Sequence, residues 1–399
     1  MSDAAAGAVA DQVSGTDPEA FRREVAAFLA ENWSGGDRNV DAFRKAAIAR
    51  GYLFRAVPVE YGGAGQQPDP IKAQVIREEF DRVRAPRELP GGGAVRQLLP
   101  TLLAVGEDWQ KAYFIPPSLE ARFLWCQGYS EPGAGSDLAA VRTSAVLEGD
   151  EWVINGQKIW TSGANTATHM YALVRTEPDK PKHAGISYLL LDMRQPGITV
   201  RPLKQINGDA TFNEVFFDNA RTPANWIVGK RGEGWLVSRT TLEFERTVVG
   251  STDGSQELFE KLVRLAKDTP LNGRPAIKDP LIRDEVMRIH VMLAAQSAEQ
   301  AEQQQQALRG QLKFQAGGAI TKFYGSIIAE RIALAAQKIM AEDALGAPTA
   351  DTRGPSRWTS QFMNSIAAQI GGGTSNMQRN MIAERHLGMP RDRRGDEKR

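Results

Sequence analysis

The chain has 399 residues, which leaves room for two or three domains or for one large multi-layer unit. Its formal net charge is only +1, so no basic or acidic excess predicts nucleic acid or an anionic membrane as a partner. Cys126 is the single cysteine and the four histidines are scattered, which excludes an internal disulfide framework and leaves no ligand spacing for a metal site.

Hydropathy and composition also indicate the cellular compartment of the protein and the character of the two ends of the chain. No apolar run is long enough to cross a bilayer, and residues 1–16 lack the basic and apolar regions of a secretory signal. We expect residues 1–16 to form a flexible arm, and residues 390–399, most of them charged, to form a solvated tail. The scarcity of cysteine suits a reducing compartment, so we expect a cytoplasmic protein with no integral membrane contact.

Helical periodicity dominates the first third of the chain. Asp17-Pro18 provides an N-cap followed by proline at the first helical position, and apolar residues then recur at helical spacing. Further helices are predicted over residues 41–51, 69–83 and 95–122, the last with an interruption at Pro100. These elements predict a helical layer.

Short strands replace the helical period in the middle of the chain. Residues 141–147 alternate, Gly149-Asp150 provides a turn, and Asn155-Gly156 is the strongest short hairpin signal within residues 151–160. Further strands are expected over residues 171–175, 186–192, 198–203 and 214–217. Short strands separated by turn signals predict an antiparallel β-domain, not βαβ units.

The helical period returns at Trp235 and persists to the end. Helices are predicted over residues 236–266, 279–308, 319–343, 358–370 and 375–387. The order predicts an α+β, mainly α protein with three domains. They are an N-terminal helical domain over residues 17–123, a middle β-domain over 124–234 and a C-terminal helical bundle over 235–389.

One segment, Trp125 to Asp137, combines aromatic, hydroxyl and glycine residues as a binding site would. Gln127, Ser130 and Ser136 offer side-chain hydrogen bonds, and backbone amides near Gly135 could receive a phosphate. The segment is not the dinucleotide fingerprint, because a leucine stands where the third glycine is required and no βαβ unit surrounds it. Taken by itself, it could equally be a Gly/Pro turn between two elements.

Trp160-Thr161-Ser162 follows at a strand end and pairs a large aromatic with two hydroxyls. An aromatic face beside hydrogen-bond donors suits a planar heterocycle. The alternative is that Trp160 belongs to the sheet core and that the hydroxyls belong to a turn.

Several motifs in consistent order give the chain a resemblance to the acyl-CoA dehydrogenase family, from about Asp17 to Pro390. The matching segments are Val59-Glu60-Tyr61-Gly62-Gly63, Trp125 to Asp137 with Ser-Glu-Pro-Gly-Ala-Gly-Ser-Asp within it, Asn155-Gly156-Gln157-Lys158-Ile159-Trp160-Thr161-Ser162, and the closing motif Gly371 to Arg385. The resemblance implies the same three domains, the last a four-helix bundle, and a non-covalent FAD.

The resemblance also implies roles for particular residues. Trp160 would cover the isoalloxazine face, Ser162 would hydrogen-bond near the reactive edge of the flavin, and Ser136 would also face the substrate's pantetheine. Other residues would contact the cofactor, and these are Gln127, Tyr129, Ser130, Gly135, Ser136, Thr374 and Asn376. Arg274 would reach the FAD diphosphate of a neighbouring subunit, although Ile277 stands where the family often has an aromatic residue.

The chemistry implied by the resemblance needs a general base, because an α-proton must be removed while the β-hydrogen leaves as hydride. Many members place this glutamate in the closing motif, where the chain has Gly372. Branched-chain and long-chain members use a position just before an arginine on a C-terminal helix, where the chain has Glu245 before Arg246. We therefore expect Glu245 to be the base. Glu243 is the alternative base or a partner of the nucleotide part of the substrate, and Arg246 would orient the acidic helix or a group of the substrate.

The resulting hypothesis is an FAD-dependent acyl-CoA dehydrogenase that passes electrons to an electron-transfer flavoprotein. Within the same fold, an acyl-CoA oxidase or another flavin-site elimination is the alternative, and a non-catalytic subunit of a hetero-oligomer is a further one. We expect a homodimer or homotetramer, or else a hetero-oligomer. The three glycines from Gly371 to Gly373 either leave room for a bulky substrate or allow a tight turn into the last helix.

Overall fold

The computed structural model describes residues 17–35, 39–87, 93–248, 252–308, 316–346 and 355–390. The predicted arm and residues 391–399 of the predicted tail lie outside the described residues. So do the side chains of residues 243–248, although the backbone there is described.

Five α-helices lie within the described residues of the first part of the chain. They are α1 (Pro18–Asn32), α2 (Val40–Ala49), α3 (Pro70–Arg82), α4 (Gly93–Val105) and α5 (Asp108–Leu119). The predicted cap at Asp17 is confirmed, since its carboxylate accepts from the backbone N–H of Glu19 at 3.0 Å.

The predicted interruption at Pro100 is wrong. Pro100 lies inside α4, and the helix ends instead at Val105, after which the N–H of Gly106 donates to the Leu102 carbonyl at 2.8 Å. Proline removes one helical hydrogen bond, but Leu98 and Leu102 stay fully buried on either side of it, so packing overrides the local preference.

Eight strands form one sheet in the middle of the chain. They are β1 (Trp125–Gly128), β2 (Ser144–Glu148), β3 (Glu151–Ser162), β4 (His169–Arg175), β5 (Ile186–Asp192), β6 (Ile198–Leu203), β7 (Phe212–Pro223) and β8 (Ile227–Val228). The order is β6-β7-β3-β2-β4-β5-β8, with β1 paired to β4. The sheet is antiparallel as predicted except where β1, and one bridge of β2, run parallel to β4.

The predicted hairpin at Asn155-Gly156 is wrong. β3 continues through this dipeptide and pairs with β7 along its whole length, with a register shift between Ile154 and Gly156. A Cβ atom on Gly156 would lie 2.7 Å from Thr143 Cα, so the glycine serves a close approach of two backbones rather than a turn. The turn is at Gly149, where the sequence also predicted one.

The two faces of the sheet bury different side chains, as strand alternation requires. One face, with Trp125, Tyr171 and Tyr188, packs on the N-terminal helices in a single core. The other face, with Cys126, Met170 and Leu189, forms a second core within the β-domain. Residues that alternate along β1 thus point either toward the helices or away from them.

The remaining helices form the C-terminal part. They are α6 (Gly234–Val248), α7 (Thr252–Asp268), α8 (Pro280–Leu308), α9 (Ala316–Met340), α10 (Pro355–Ala368) and α11 (Ser375–Met381), with a short hairpin of β9 (Pro270–Leu271) and β10 (Arg274–Pro275) before α8. Helix α9 packs against α7, α8 and α10, and its core side chains form a third cluster. None of the helices that the structure describes is both long and apolar enough to span a membrane.

Candidate active site

The segment after β1 closes into a tight turn and then opens to solvent. Glu131 and Ala134 exchange two backbone hydrogen bonds of 3.0 Å. Gly135 and Ser136, which follow, are exposed, and a Cβ atom on Gly135 would meet nothing within 4 Å. The backbone at these two residues is therefore accessible to a ligand.

A buried ion pair fixes this turn to β3. Lys158 Nζ donates to Glu131 Oε1 at 2.7 Å, to the Leu173 carbonyl at 2.7 Å and to the Tyr129 carbonyl at 3.2 Å. The Glu131 carboxylate also accepts from the backbone N–H groups of residues 142 and 143, at 2.6 and 2.8 Å. Each charge is thus satisfied by several partners, as a buried pair needs.

The surroundings shift both pKa values of the pair. Burial lowers the pKa of Lys158 to about 8, although the negative charge of Glu131 opposes this change. Burial by itself would raise the pKa of Glu131, but the charge of Lys158 and the hydrogen bonds that the carboxylate accepts hold it below its ordinary value. Both groups are charged at neutral pH, and we assign them the structural task of holding the turn.

Trp160 is turned outward by an irregularity of β3. The register of β3 against β7 shifts between Lys158 and Thr161, and Trp160 has a φ of +60°, a strained conformation for a bulky residue. Its indole is 59% exposed and contacts the Phe212 ring edge-on at 6.0 Å. This exposure is incompatible with a place for Trp160 in the sheet core.

The outward end of β3 lies beside the glycine segment. The N–H of Ile159 donates to the Ser130 carbonyl at 2.9 Å, which sets Ser130 next to Trp160. Ser130 is half-buried, and Ser162 is exposed at the last position of the strand. Three predicted site residues from two separate segments are therefore brought together.

A hydrogen-bonded group connects Gln127 to helix α4. Gln97 Oε1 accepts from Gln127 Nε2 at 3.1 Å and from the Tyr171 hydroxyl at 2.6 Å. The Tyr171 ring stacks on Tyr188 at 5.7 Å, and Tyr129 meets both rings edge-on. Since Tyr129 is only 4% exposed, its side chain belongs to the core, and its predicted contact with the cofactor stays a prediction.

Helix α6, which carries the predicted base, is anchored to the same helix α4. Thr241 is fully buried, and Thr101 Oγ1 donates to Thr241 Oγ1 at 3.0 Å. Position 245 follows one helical turn later on the same helix face. The side chains of Glu243, Glu245 and Arg246 lie outside the described residues, so their roles stay predictions.

The backbone of the closing motif disfavours a side chain at the other base position. Gly372 has a φ of +65° and Gly373 a φ of +88°, both in the left-handed region. A Cβ atom on Gly373 would also lie 2.6 Å from Gln378 Nε2. The backbone conformation indicates that these glycines are needed for the turn into α11.

The remaining predicted site residues occupy the N-terminus of α11 and the β9–β10 hairpin. Thr374 caps α11, where its hydroxyl oxygen accepts from the Met377 N–H at 3.2 Å and keeps its own hydrogen to donate. Asn376 and Arg274 are exposed. Within the described part of the chain, no hydrogen bond joins these three residues to Trp160 or to the glycine segment, so their place in the site stays a prediction.

Four residues that position the site escaped the sequence-based argument: Gln97, Glu131, Lys158 and Thr241. For Lys158 a signal exists, because a charged residue interrupts an apolar alternation that ends in Trp160. For Gln97 and Thr241 there is none, since their partners are distant along the chain and a polar residue on a helix is ordinarily solvated.

Comparison with known proteins assigns all three domains to one family. Models of the acyl-CoA dehydrogenase N-terminal, middle and C-terminal domains match residues 16–122, 126–220 and 232–387. The chain belongs to the acyl-CoA dehydrogenase family. It is therefore an FAD-dependent oxidoreductase of lipid metabolism that acts on acyl-CoA, and the predicted family, fold and cofactor are confirmed.

Individual relatives cover nearly the full length of the chain. Acyl-CoA dehydrogenase IpdE1 of Mycobacterium tuberculosis is 38% identical over 401 residues, 95% of this chain and 100% of the relative. A solved structure described as the Tcur3481-Tcur3483 steroid ACAD is 28% identical with a TM-score of 0.77, covering 95% of this chain and 100% of that one. The ChsE4-ChsE5 complex of Mycobacterium tuberculosis gives 26% identity and a TM-score of 0.75, with 94% and 98% covered.

The residues of the site fit a bound flavin. An isoalloxazine ring needs a flat apolar face with hydrogen-bond donors at its edge. The exposed indole of Trp160 offers such a face, Ser130 and Ser162 offer hydroxyls beside it, and the open backbone at Gly135 leaves amides accessible. These residues would hold the ring and the adjoining part of FAD.

Proposed function

We propose that this enzyme converts an acyl-CoA thioester into its trans-2-enoyl-CoA, with Glu245 as the general base. FAD, when bound, supplies the acceptor for the β-hydrogen, which leaves as hydride. The carboxylate of Glu245 takes the α-proton while the bond between the α- and β-carbons becomes double, so that protons and electrons balance.

The observation that carries this proposal is the placement of helix α6. Its buried face, marked by Thr241, contacts Thr101 of α4, and Gln97 on the same side of α4 contacts Gln127 beside the flavin residues. Position 245 continues that face, whereas position 243 points in a different direction from the helix axis. Position 245 is thus the better placed of the two helix positions for a base.

We assign the neighbouring polar residues to the substrate. Ser136 is exposed at the open glycine segment, where it is available to the pantetheine part of the thioester. Glu243 is proposed as a partner of the nucleotide part of coenzyme A, and Arg246 as the group that orients the base or the substrate.

Substitution of the two glutamates tests the assignment. Glu245→Gln is expected to bind FAD with an unchanged oxidised spectrum but to lose anaerobic bleaching by acyl-CoA, by a factor on the order of 100 or more. Glu243→Gln, the matched control two residues away, should bleach at a rate within about tenfold of the wild type. A Glu245→Gln enzyme that bleaches at the wild-type rate would remove Glu245 from the mechanism.

We propose an electron-transfer flavoprotein as the electron acceptor. The reduced enzyme should then turn over with that flavoprotein and form little peroxide in air. Peroxide formed at the rate of turnover would identify an acyl-CoA oxidase instead. A purified chain that binds no flavin would point to a non-catalytic subunit.

We further propose a ring-bearing, steroid-derived acyl-CoA as the substrate class and a hetero-oligomer as the assembly. The support is that the similar solved structures include one described as a steroid ACAD and one described as a complex of two different chains. A panel of straight-chain and ring-bearing thioesters, scored by the rate of flavin bleaching, tests the substrate. Light scattering of the purified chain, alone and with candidate partner chains, tests the assembly.

A further inference from the structure

One asparagine occupies a position in the sheet where burial favours an apolar residue. Asn213 is fully buried on β7, and it continues the row of core side chains that Val215 and Phe217 form on one face of the sheet. Its neighbours on the two adjacent strands are Thr161 of β3 and Pro202 of β6. An apolar side chain would fill this position without bringing a polar group into the core, so the carboxamide needs a separate explanation.

The Asn213 carboxamide binds the end of β3. Its Nδ2 donates to the Thr161 carbonyl at 2.9 Å and to the Thr211 carbonyl at 3.3 Å. The Thr211 carbonyl also accepts from the N–H of Gly163 at 3.0 Å. One side chain thus joins two carbonyl groups, one on β3 and one just before β7, at the point where β3 ends and β7 begins.

This contact directly follows the irregularity of β3. The pairing of β3 with β7 shifts between Lys158 and Thr161, and it resumes at the pair of Thr161 and Asn213. A slip of one residue would exchange the inward and outward faces of the strand end. The hydrogen bond from Asn213 fixes the register at the first pair after the shift.

The register determines where Trp160 and Ser162 point. Side chains alternate along a strand, so a buried Thr161 places both of its neighbours on the outer face, and both are exposed. The carbonyl of Thr161 and the N–H of Ser162 belong to one peptide unit and point in opposite directions. Because the carbonyl is directed at β7, the N–H is directed at the other edge of β3, where Ile159 donates to the Ser130 carbonyl at 2.9 Å.

Stability by itself does not account for this asparagine. Asn213 Oδ1 and Thr161 Oγ1 are buried, and neither has a hydrogen-bond partner within the described part of the chain. A buried polar atom without a partner is destabilising, and an apolar side chain of similar shape would avoid that penalty. What the asparagine adds is a donor to the Thr161 carbonyl, so its contribution is to the local geometry of the strand end.

We propose that Asn213 is a positioning residue of the flavin site, which holds the end of β3 so that Trp160 and Ser162 face the isoalloxazine ring. Asn213 does not touch the cofactor itself, because it is fully buried on the inner face of the sheet. The proposal rests on the proposed function of the site, in which Trp160 and Ser162 contact the flavin. Loss of the carboxamide should therefore affect FAD through Trp160, without a comparable effect on folding.

Asn213→Leu and Asn213→Ala test this role in the full-length holoenzyme. Leucine branches at the same atom as asparagine, and alanine is smaller, so at least one of the two variants avoids a clash. After dilution, FAD should leave both variants about tenfold faster than it leaves the wild type, which the rise of flavin fluorescence measures.

Thr222→Val is the matched control on the same strand. It removes another buried hydrogen bond of β7, from Thr222 Oγ1 to the Leu190 carbonyl at 2.6 Å, near the opposite end of the pairing with β3. FAD should leave this variant at the wild-type rate. The melting temperatures of the Asn213 variants should fall no further than that of Thr222→Val.

A spectroscopic measurement reports on Trp160 directly. In holoenzyme labelled with fluorotryptophan, the fluorine NMR signal of Trp160 is the one of the eight tryptophan signals that is missing from Trp160→Gly. This signal should shift and broaden in both Asn213 variants and stay unchanged in Thr222→Val. A merely structural role of Asn213 would leave it in place.

The outcomes separate the role of Asn213 from the role of Trp160. Wild-type FAD release and an unchanged Trp160 signal in both Asn213 variants, beside faster release from Trp160→Gly, would refute the positioning role alone. If Trp160→Gly releases FAD at the wild-type rate, the assignment of Trp160 to the flavin fails and the proposal for Asn213 is overturned with it. Equal acceleration in Thr222→Val would indicate general destabilisation and would also overturn the proposal.

Discussion

Replacement of Lys158 by methionine tests how the flavin segment is held. Methionine keeps the unbranched apolar body of the lysine, one atom shorter, but removes three hydrogen bonds, to Glu131 and to the carbonyls of Tyr129 and Leu173. It leaves a carboxylate that is 8% exposed without its counter-ion. Breaking a buried pair from one side costs about 3–5 kcal/mol, and we expect about 3 kcal/mol because two backbone N–H donors still bind the carboxylate.

Urea titration followed by tryptophan fluorescence measures the decrease in the free energy of unfolding, and flavin absorbance after gel filtration measures how much FAD the protein retains. Lys182→Met is the matched control, since Lys182 pairs with Asp137 of the same segment at 2.9 Å but both side chains are about half exposed. It should cost between about 0 and 1 kcal/mol and should keep its FAD. Lys158→Met is expected to lose FAD more readily, because the turn before Gly135 loosens.

The double variant Lys158→Met/Glu131→Gln separates lost attraction from stranded charge. Removing both charges should recover about 1–2 kcal/mol relative to Lys158→Met, since no ion is left without a partner. Two results would contradict this role of the buried ion pair. One is a free energy of unfolding for Lys158→Met within about 1 kcal/mol of the wild-type value, and the other is a double variant whose loss of free energy equals the sum of the losses in the two single variants.

Three further changes are expected to have distinct outcomes. Burial lowers the pKa of His169 to about 4, below its value in the unfolded chain. The unfolded chain therefore binds the extra proton between pH 6.5 and 4, and the free energy of unfolding falls as pH falls through that window. In urea titrations, the free energy of unfolding of His169→Phe should fall by about 2 kcal/mol less than that of the wild type between pH 8 and pH 5. Trp160→Gly removes an exposed ring from a φ of +60°, so it should not lower the melting temperature but should weaken FAD binding by about tenfold in fluorescence titrations, and unchanged FAD affinity would contradict the stacking role. Gly373→Ala should lower the free energy of unfolding by about 1 kcal/mol or more, because residue 373 has a φ of +88°. Gly371→Ala is the control and should not lower it, since a Cβ atom there would contact only a backbone oxygen, at 3.8 Å.

The order of helical, strand and helical periods could be determined from the sequence, because each period reflects which side chains must face a core. The motifs around Ser130, Trp160 and Thr374 likewise indicated an FAD enzyme, because their order along the chain resembles that of the acyl-CoA dehydrogenase family. Turn chemistry at Gly149 is local too, and it was correctly predicted.

Only the tertiary structure decided features whose cause lies far along the chain. Asn155-Gly156 has the composition of a hairpin turn, but pairing of β3 with β7 and the close approach of Thr143 make it a bulge in a continuous strand. Pro100 remains inside a helix because the leucines around it are buried. The local conformation at these positions depends on contacts with residues far along the chain, which a local sequence pattern does not include.

The same distinction applies within the site. The sequence identified Trp160 as a candidate but left its burial open, whereas the register shift of β3 turns the ring outward. Lys158 became a structural anchor only because Glu131 meets it in a buried space. A sequence thus determines which chemical groups are present and which faces they share along one element, and the packing between elements determines which of them meet, because it alone brings distant residues within hydrogen-bond distance.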